Sequence, residues 1–192
     1  MADKTVNIMI VGVGGQGTLL ASRILGNLTT ASGYDVKISE VHGMAQRGGS
    51  VVTYVRYGKD VAEPIVEEGR ADVLIAFERL EALRYAHFLK KDGHIIVNDQ
   101  RIDPMTVVTG ACEYPENIIE ELSKKYDVTS LDAMAEAEKL GNTRVFNTII
   151  LGVVATKMEF DKEVWVETIK NVVPPKTVDL NVKAFEAGYN MK

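Results

Sequence analysis

From Thr5 the chain reads TVNIMIV, a nearly unbroken β-rich apolar series that ends in the glycines of VGVGGQG, Val11 to Gly17. Apolar residues without polar alternation, cut off by glycines, predict a strand buried on both faces of a parallel sheet. The period then changes. Leu20, Ile24, Leu25 and Leu28 recur at helical spacing, and Gly33 closes the run as a C-terminal cap. YDVKISEV predicts a second strand. After a glycine-bearing loop, SVVTYVRYG places Val51, Thr53, Val55 and Tyr57 on one face and Val52, Tyr54 and Arg56 on the other, ending at Gly58.

ADVLIAF and HIIVND predict two further strands, with ERLEALRYAHFLKKDG as the helix between them, carrying Leu80, Leu83 and a Glu81/Arg84 pair. Strand, helix and strand in that order predict a parallel crossover. MTVVTGA reads as an added edge strand, bracketed by Pro104 and Pro115. Beyond it the pattern is helical: PENIIEELSKKY, LDAMAEAEKLG, NTRVFNTIILGVVATKM, DKEVWVETIKNVV and KTVDLNVKAFEAG, with Asn142 and Asp161 at capping positions. Val145 to Ala155 is apolar nearly all round and too short to cross a bilayer, which predicts a buried helix. These elements predict an α/β fold, a single doubly wound, Rossmann-like domain over residues 1–192 with a mainly parallel sheet and a helix-rich C-terminal part.

Composition narrows the function. With 192 residues and 46% hydrophobic content the chain is long enough for a sizeable core. The net charge of −5, with cations scattered along the sequence, argues against nucleic acid. No stretch resembles a membrane span or a secretory leader, so a cytoplasmic protein is expected. Cys112 is the one cysteine, expected as a small buried or half-buried side chain; it excludes an internal disulfide and a cluster held by this chain's own thiolates. His87 and His94 lack companions at metal-ligand spacing, so no metal site is expected.

Gly12, Gly14 and Gly17 have the GxGxxG spacing between a predicted strand and a predicted helix. The glycines allow a tight turn, and the free amides near Gly15, Gln16, Gly17 and Thr18 favour a bound anion, so these residues are the expected cofactor-binding turn. A dinucleotide site also needs an acid after the second strand, and Glu40 is available. Against that reading, Gln16 puts an amide side chain where a pyrophosphate lies. The second loop, His42 to Ser50, leaves the same carboxyl edge, where open α/β folds bind ligands. Its candidates are His42, Gln46 and Arg47 for the chemistry, with Arg47 offering a fork of donors to an anion, and Met44, Gly48, Gly49 and Ser50 for a partner interface. Glu78, at the end of ADVLIAFE, serves equally as a cleft residue or as a carboxylate favoured by a helix start.

GVGGQGTLLASRILG, SEVHGMAQRGGSVVTYVRYG, FERLEALRY, IIVND and GNTRVFNTIILG together resemble the gamma-type subunit of 2-oxoacid:ferredoxin oxidoreductases. Within that family HGMAQRGGSV is similar to the indolepyruvate type, whereas the pyruvate and 2-oxoglutarate types usually carry Gly-Pro-Glu followed by arginine. The resemblance implies a small subunit, inactive alone, of a hetero-oligomer that oxidatively decarboxylates aryl pyruvates with coenzyme A and ferredoxin. Thiamine diphosphate, magnesium and [4Fe-4S] clusters would belong to a large alpha subunit. It further implies that the loop from His42 to Ser50 faces the partner's thiamine centre and that the Gly12–Gly17 turn takes the phosphates of coenzyme A. Two other readings stay open: a stand-alone nicotinamide-dependent oxidoreductase using Glu40, and a non-catalytic assembly subunit.

Overall fold

The computed structural model describes residues 4–43 and 48–191. A six-stranded sheet runs in the order β2-β3-β1-β4-β5-β6. Its strands are β1 (Val6–Val13), β2 (Asp35–His42), β3 (Ser50–Gly58), β4 (Ala71–Ala76), β5 (Leu89–Asn98) and β6 (Asp127–Leu131). Pairs β1/β4, β4/β5 and β5/β6 are parallel, while β3 runs antiparallel to both of its neighbours. The expected Rossmann-like α/β architecture is present, with one reversed strand set into an otherwise parallel sheet.

Helix α1 (Thr18–Ala31) covers one face, burying Ala21, Ile24, Leu25 and Leu28 against Ile8 and Ile10 of β1 and Val55 of β3. It ends as the sequence predicts: Gly33 has φ 85°, its amide donates to the Thr30 carbonyl at 3.0 Å, and the Tyr34 amide donates to that of Thr29 at 3.1 Å. On the opposite face, α2 (Arg79–Tyr85) and, after the short α3 (Met105–Val108), α4 (Ile118–Ser123) pack Ala82, Ile118 and Leu122 on Met9 and Val11. Strand β1 thus buries alternate residues into two cores, the reason for its continuous apolar sequence.

The first core is completed by α5 (Ala133–Lys139), α6 (Phe146–Ala155), α7 (Lys162–Val172) and α8 (Val178–Tyr189). All ten residues of α6 are buried, as its all-round apolar sequence requires. It crosses α8 at two glycines: a methyl on Gly188 would stand 1.9 Å from the Ile149 carbonyl oxygen, and one on Gly152 would stand 2.2 Å from that of Phe185. The Thr148 hydroxyl donates to Asn181 Oδ1 at 2.8 Å across the same contact. Asn142 caps the 3₁₀ turn that leads into α6, accepting from the Arg144 amide at 3.0 Å. Asp161 precedes α7 without a side-chain cap bond.

Four sequence expectations are corrected. MTVVTGA is α3 and its C-terminal turn rather than an edge strand; the Val107 and Val108 amides donate to the Pro104 carbonyl, and Gly110 at φ 74° closes the helix. The helix expected through Gly93 ends at Tyr85 with a 3₁₀ turn, and Leu89 already pairs with Ala71 in the sheet, held by the ion pair from Lys90 to Asp72. Asp127 to Ser130 lie in no expected element and Leu131 opens the expected helix LDAMAEAEKLG, but DVTSL is the edge strand β6, with only Leu131 buried. Cys112 is exposed.

The glycine crossing gives a test. Gly188→Ala should cost about 1–3 kcal/mol by overpacking, read as a lowered urea midpoint with far-UV circular dichroism retained. An unchanged midpoint would mean that α6 and α8 part freely.

Candidate functional site at the carboxyl rim

Strand direction decides what meets at the rim. Because β3 runs back beside β1, its first residue, Ser50, is opposite the last residue of β1, Val13, and Val51 is opposite His42 of β2. The Gly14 amide donates to the Gly49 carbonyl at 2.8 Å, and the Gly43 amide donates to the Ser50 carbonyl at 3.3 Å. The glycine turn is therefore joined to the returning end of the second loop by a backbone hydrogen bond, and a second bond links the two described ends of that loop. Met44, Gln46 and Arg47 lie outside the described residues.

Chain direction also sets a switch point between β1 and β4, since α1 leaves toward one face and α2 toward the other. In dinucleotide folds a ligand enters there. Here Gln16, 8% exposed, turns inward. Its Oε1 accepts from the Val13 amide at 2.7 Å, and its Nε2 donates to the Phe77 carbonyl at 2.9 Å and to Gln100 Oε1 at 3.0 Å. Asn98, fully buried, extends the network: Nδ2 donates to the same Phe77 carbonyl at 3.2 Å, and Oδ1 accepts from the Ala133 amide at 3.0 Å. Two side-chain amides thus satisfy backbone groups at the ends of β1 and β4 and at the start of α5. Gly12 is needed beside them, since a Cβ there would stand 2.9 Å from Gln16 Oε1.

The amides of the glycine turn are partly taken up by the fold itself. The Gly14 and Gln16 amides are engaged, by the carbonyls of Gly49 and Val13. Gly15 and Gly17 have φ of 101° and 87°, and Thr18, largely buried, opens α1. Gly17 is held against α6, where a Cβ would meet Asn147 Nδ2 at 2.3 Å. Beside Gly15 and Gly17 lies a cleft of about 350 Å³ lined by Gln100, Thr143, Arg144 and Asn147. Arg144 makes no ion pair among the described residues, and it brings positive charge to this wall.

The acidic candidates are occupied by the fold. Glu40 accepts from the Thr53 hydroxyl at 2.8 Å and pairs with His42 Nε2 at 2.8 Å, so the two are partners on the edge strand. Glu78 is fully buried and resolves its two readings as a helix cap: it accepts from the Glu81 amide at 3.0 Å, the Ile102 amide at 3.1 Å and the Tyr114 hydroxyl. Burial, then this hydrogen bond, raises the Tyr114 phenol. Glu81, 4% exposed, accepts from the Ser50 hydroxyl and pairs with Arg84 Nε at 3.2 Å. Burial pushes its carboxyl above the usual range, against the pull of Ser50 and Arg84 and with help from Glu78.

The histidines away from the rim are accounted for locally. His87 lies 3.6 Å from a Glu68 oxygen, and His94 bridges Asp127 at 2.6 Å and Thr129 at 2.8 Å. Among the described residues no group of three His, Cys, Asp or Glu side chains is placed to hold a metal, and no helix is long and apolar enough to cross a membrane. Sequence reasoning missed Asn98, Gln100 and the Ser50–Glu81 contact. A polar residue closing the apolar run HIIVN was the available signal for Asn98; the other two depend on tertiary placement.

Sheet order, switch point and glycine turn define a Rossmann-like α/β domain whose crevice is filled by its own glutamine. A family model described as pyruvate ferredoxin/flavodoxin oxidoreductase matches residues 7–191, and the chain belongs to that family. It is 45% identical over 190 residues to the indolepyruvate oxidoreductase subunit IorB of Archaeoglobus fulgidus, covering 96% of this chain and 94% of that protein. It is 43% identical over 193 residues to the subunit of the same name from Thermococcus kodakarensis, covering 96% and 95%. The crystal structure of a keto/oxoacid ferredoxin oxidoreductase gamma subunit from Geobacter sulfurreducens has the same fold, with TM-score 0.71, 24% identity and 96% of both chains covered.

The glutamine plug is testable. Gln16→Leu keeps much of the volume but strands the Val13 amide and leaves the Phe77 carbonyl to Asn98 alone, and should cost about 1–3 kcal/mol. A denaturation midpoint equal to that of the unaltered chain would show that water replaces the amide without loss.

Proposed function

We propose that this chain is the smaller subunit of an indolepyruvate-type 2-oxoacid:ferredoxin oxidoreductase, inactive alone. The observation that carries the reading is the 43–45% identity, kept along nearly the whole chain, to proteins named as indolepyruvate oxidoreductase subunits. The reaction takes an aryl pyruvate, coenzyme A and two oxidised ferredoxins to aryl-acetyl-CoA, carbon dioxide, two reduced ferredoxins and a proton released from the coenzyme A thiol. Thiamine diphosphate with magnesium on the large partner supplies the decarboxylation chemistry, and that partner's [4Fe-4S] clusters carry the electrons.

One cysteine suits a chain that leaves the clusters to its partner. Its own task is to finish the pocket. The loop from His42 to Ser50 faces the partner's reaction centre as a wall that keeps water out, with Arg47 as the cation for an anionic substrate. The Gly15 and Gly17 amides, Thr18 and the nearby Arg144 take the phosphates of coenzyme A. The joining of the two turns through Gly14 and Gly49 supports one composite pocket. Glu40, already paired with His42 and Thr53, and the Gln16 plug both weigh against a nicotinamide dinucleotide at the switch point.

Co-expression with a thiamine- and cluster-binding large subunit should yield one co-purifying complex. It should reduce ferredoxin only when indolepyruvate and coenzyme A are both present, and neither subunit should do so alone. Absence of a complex, or faster turnover of pyruvate or 2-oxoglutarate, would overturn the assignment. Arg47→Ala should leave assembly intact and lower kcat/KM roughly 10- to 100-fold, the worth of one charge-assisted hydrogen bond; full activity would reduce the loop to an interface.

A further inference from the structure

We propose that Glu81 is a positioning residue: its carboxylate, through Ser50, fixes the returning end of the rim loop that carries Gln46 and Arg47. The inference rests on the reading that this loop faces the reaction centre.

Ser50 is the first residue of β3, and three partners hold it and its neighbour. The Gly49 carbonyl receives the Gly14 amide, the Ser50 carbonyl receives the Gly43 amide, and the Ser50 hydroxyl donates to Glu81. The first two bonds are backbone to backbone and survive most substitutions. The third, with the Tyr85 hydroxyl 3.3 Å from the same serine oxygen, ties the loop to α2, on the face opposite α1. Beneath it lies a cavity of about 350 Å³ lined by Gly48, Ser50, Glu78, Glu81 and Arg84 on its polar side and by Met105 among its apolar walls.

The anchor is stiff. Glu81 is 4% exposed, its second oxygen faces Arg84 Nε at 3.2 Å, and its backbone amide is tied to Glu78. Glu78 is locked in turn by the Ile102 amide and the Tyr114 hydroxyl. Side-chain and backbone bonds therefore run from Tyr114 and Ile102 to Glu78, on to Glu81, and out to the loop end at Ser50. Such supporting shells hold reacting groups to the tolerance that catalysis needs. A buried carboxylate is an expensive choice for a structural hydrogen bond, since an amide or hydroxyl would serve with less desolvation.

The groups that act on the Glu81 carboxyl are Ser50 from β3, with the Tyr85 hydroxyl 3.3 Å from the same serine oxygen, Arg84 from the next turn of α2, and Glu78 from its cap; β1 presents the apolar Val13 to the same cavity. Burial is the largest influence and favours the neutral form. As pH falls, Glu81 therefore takes up its proton above the range of an ordinary glutamate. The ion pair with Arg84 is then lost, and an accepted, charge-assisted bond from Ser50 becomes a neutral one. Loop positioning should weaken along with it.

The test uses the full chain, alone and in its complex with the large subunit, as Glu81→Gln and Ser50→Ala. Hydrogen exchange of the peptide spanning residues 43–50, followed by mass spectrometry, should quicken several-fold in both variants at neutral pH. In the complex, kcat/KM for the 2-oxo acid should fall about tenfold in each, and the acid limb of the wild-type pH profile should disappear in Glu81→Gln. The double variant should lose no more than either single one, because both break the same link. Unchanged exchange with a retained acid limb would overturn the proposal, and so would losses that add. Should Glu81→Gln not fold, Ser50→Ala breaks the contact from its half-buried side and decides by itself. A wild-type complex inactive on aryl pyruvates would sink the functional reading, while the exchange comparison would still judge the anchor.

Discussion

The reversal of β3 is the constraint on which the rim depends. A parallel sheet built only of crossovers would carry the chain from the end of β2 to the far edge of the sheet. Because β3 instead returns antiparallel between β2 and β1, the loop after His42 must end at Ser50, opposite Val13. Register is as important as direction. Val51, Thr53, Val55 and Tyr57 are all buried on the α1 side, so a slip of one residue would put that whole set on the wrong face. The same slip would turn Ser50 away from Glu81. Core packing thereby sets the position of a polar contact that contributes little to the core itself.

Legibility in the sequence followed how strongly each segment's burial is imprinted on its side chains. β1, α1, β3 and α6 were readable because each buries a whole face or its whole circumference, and so repeats at the period of its backbone. β6 was not, since it lies at the sheet edge and only Leu131 is buried. The start of β5 reads as helix because Lys90, Lys91 and Asp92 are polar, and only the pairing of Leu89 with Ala71 and the bulge before His94 make it strand. For α3, the two valines suggested a strand, but the Pro104 carbonyl, free to accept from Val107 and Val108, started a helix.

The candidate site divided in the same way. Glycines at positions 12, 14 and 17 and the second loop were visible as local spacing, and their meeting followed from both leaving the carboxyl edge. What those glycines do was only half visible. Gly12 makes room for an amide and Gly17 for Asn147, so each answers to a side chain from elsewhere as much as to a ligand. Gln16 was visible as an obstacle, but not as a donor to Phe77, 61 residues away in sequence. Glu81 read as half of a pair with Arg84 at helical spacing; its burial and its serine partner are tertiary facts.

The amides at the switch point and the carboxylates on α2 also explain how one fold can hold a loop suited to a partner's chemistry. Buried polar groups cost free energy unless every donor and acceptor is met. Gln16 and Asn98 meet the backbone ends of β1 and β4 internally, so the crevice needs no ligand to be stable. That frees the rim around it. The second loop is tied to this frame at Gly43, Gly49 and Ser50, the last of which opens β3. Changes between those ties can alter what the rim meets while leaving strand order and core intact.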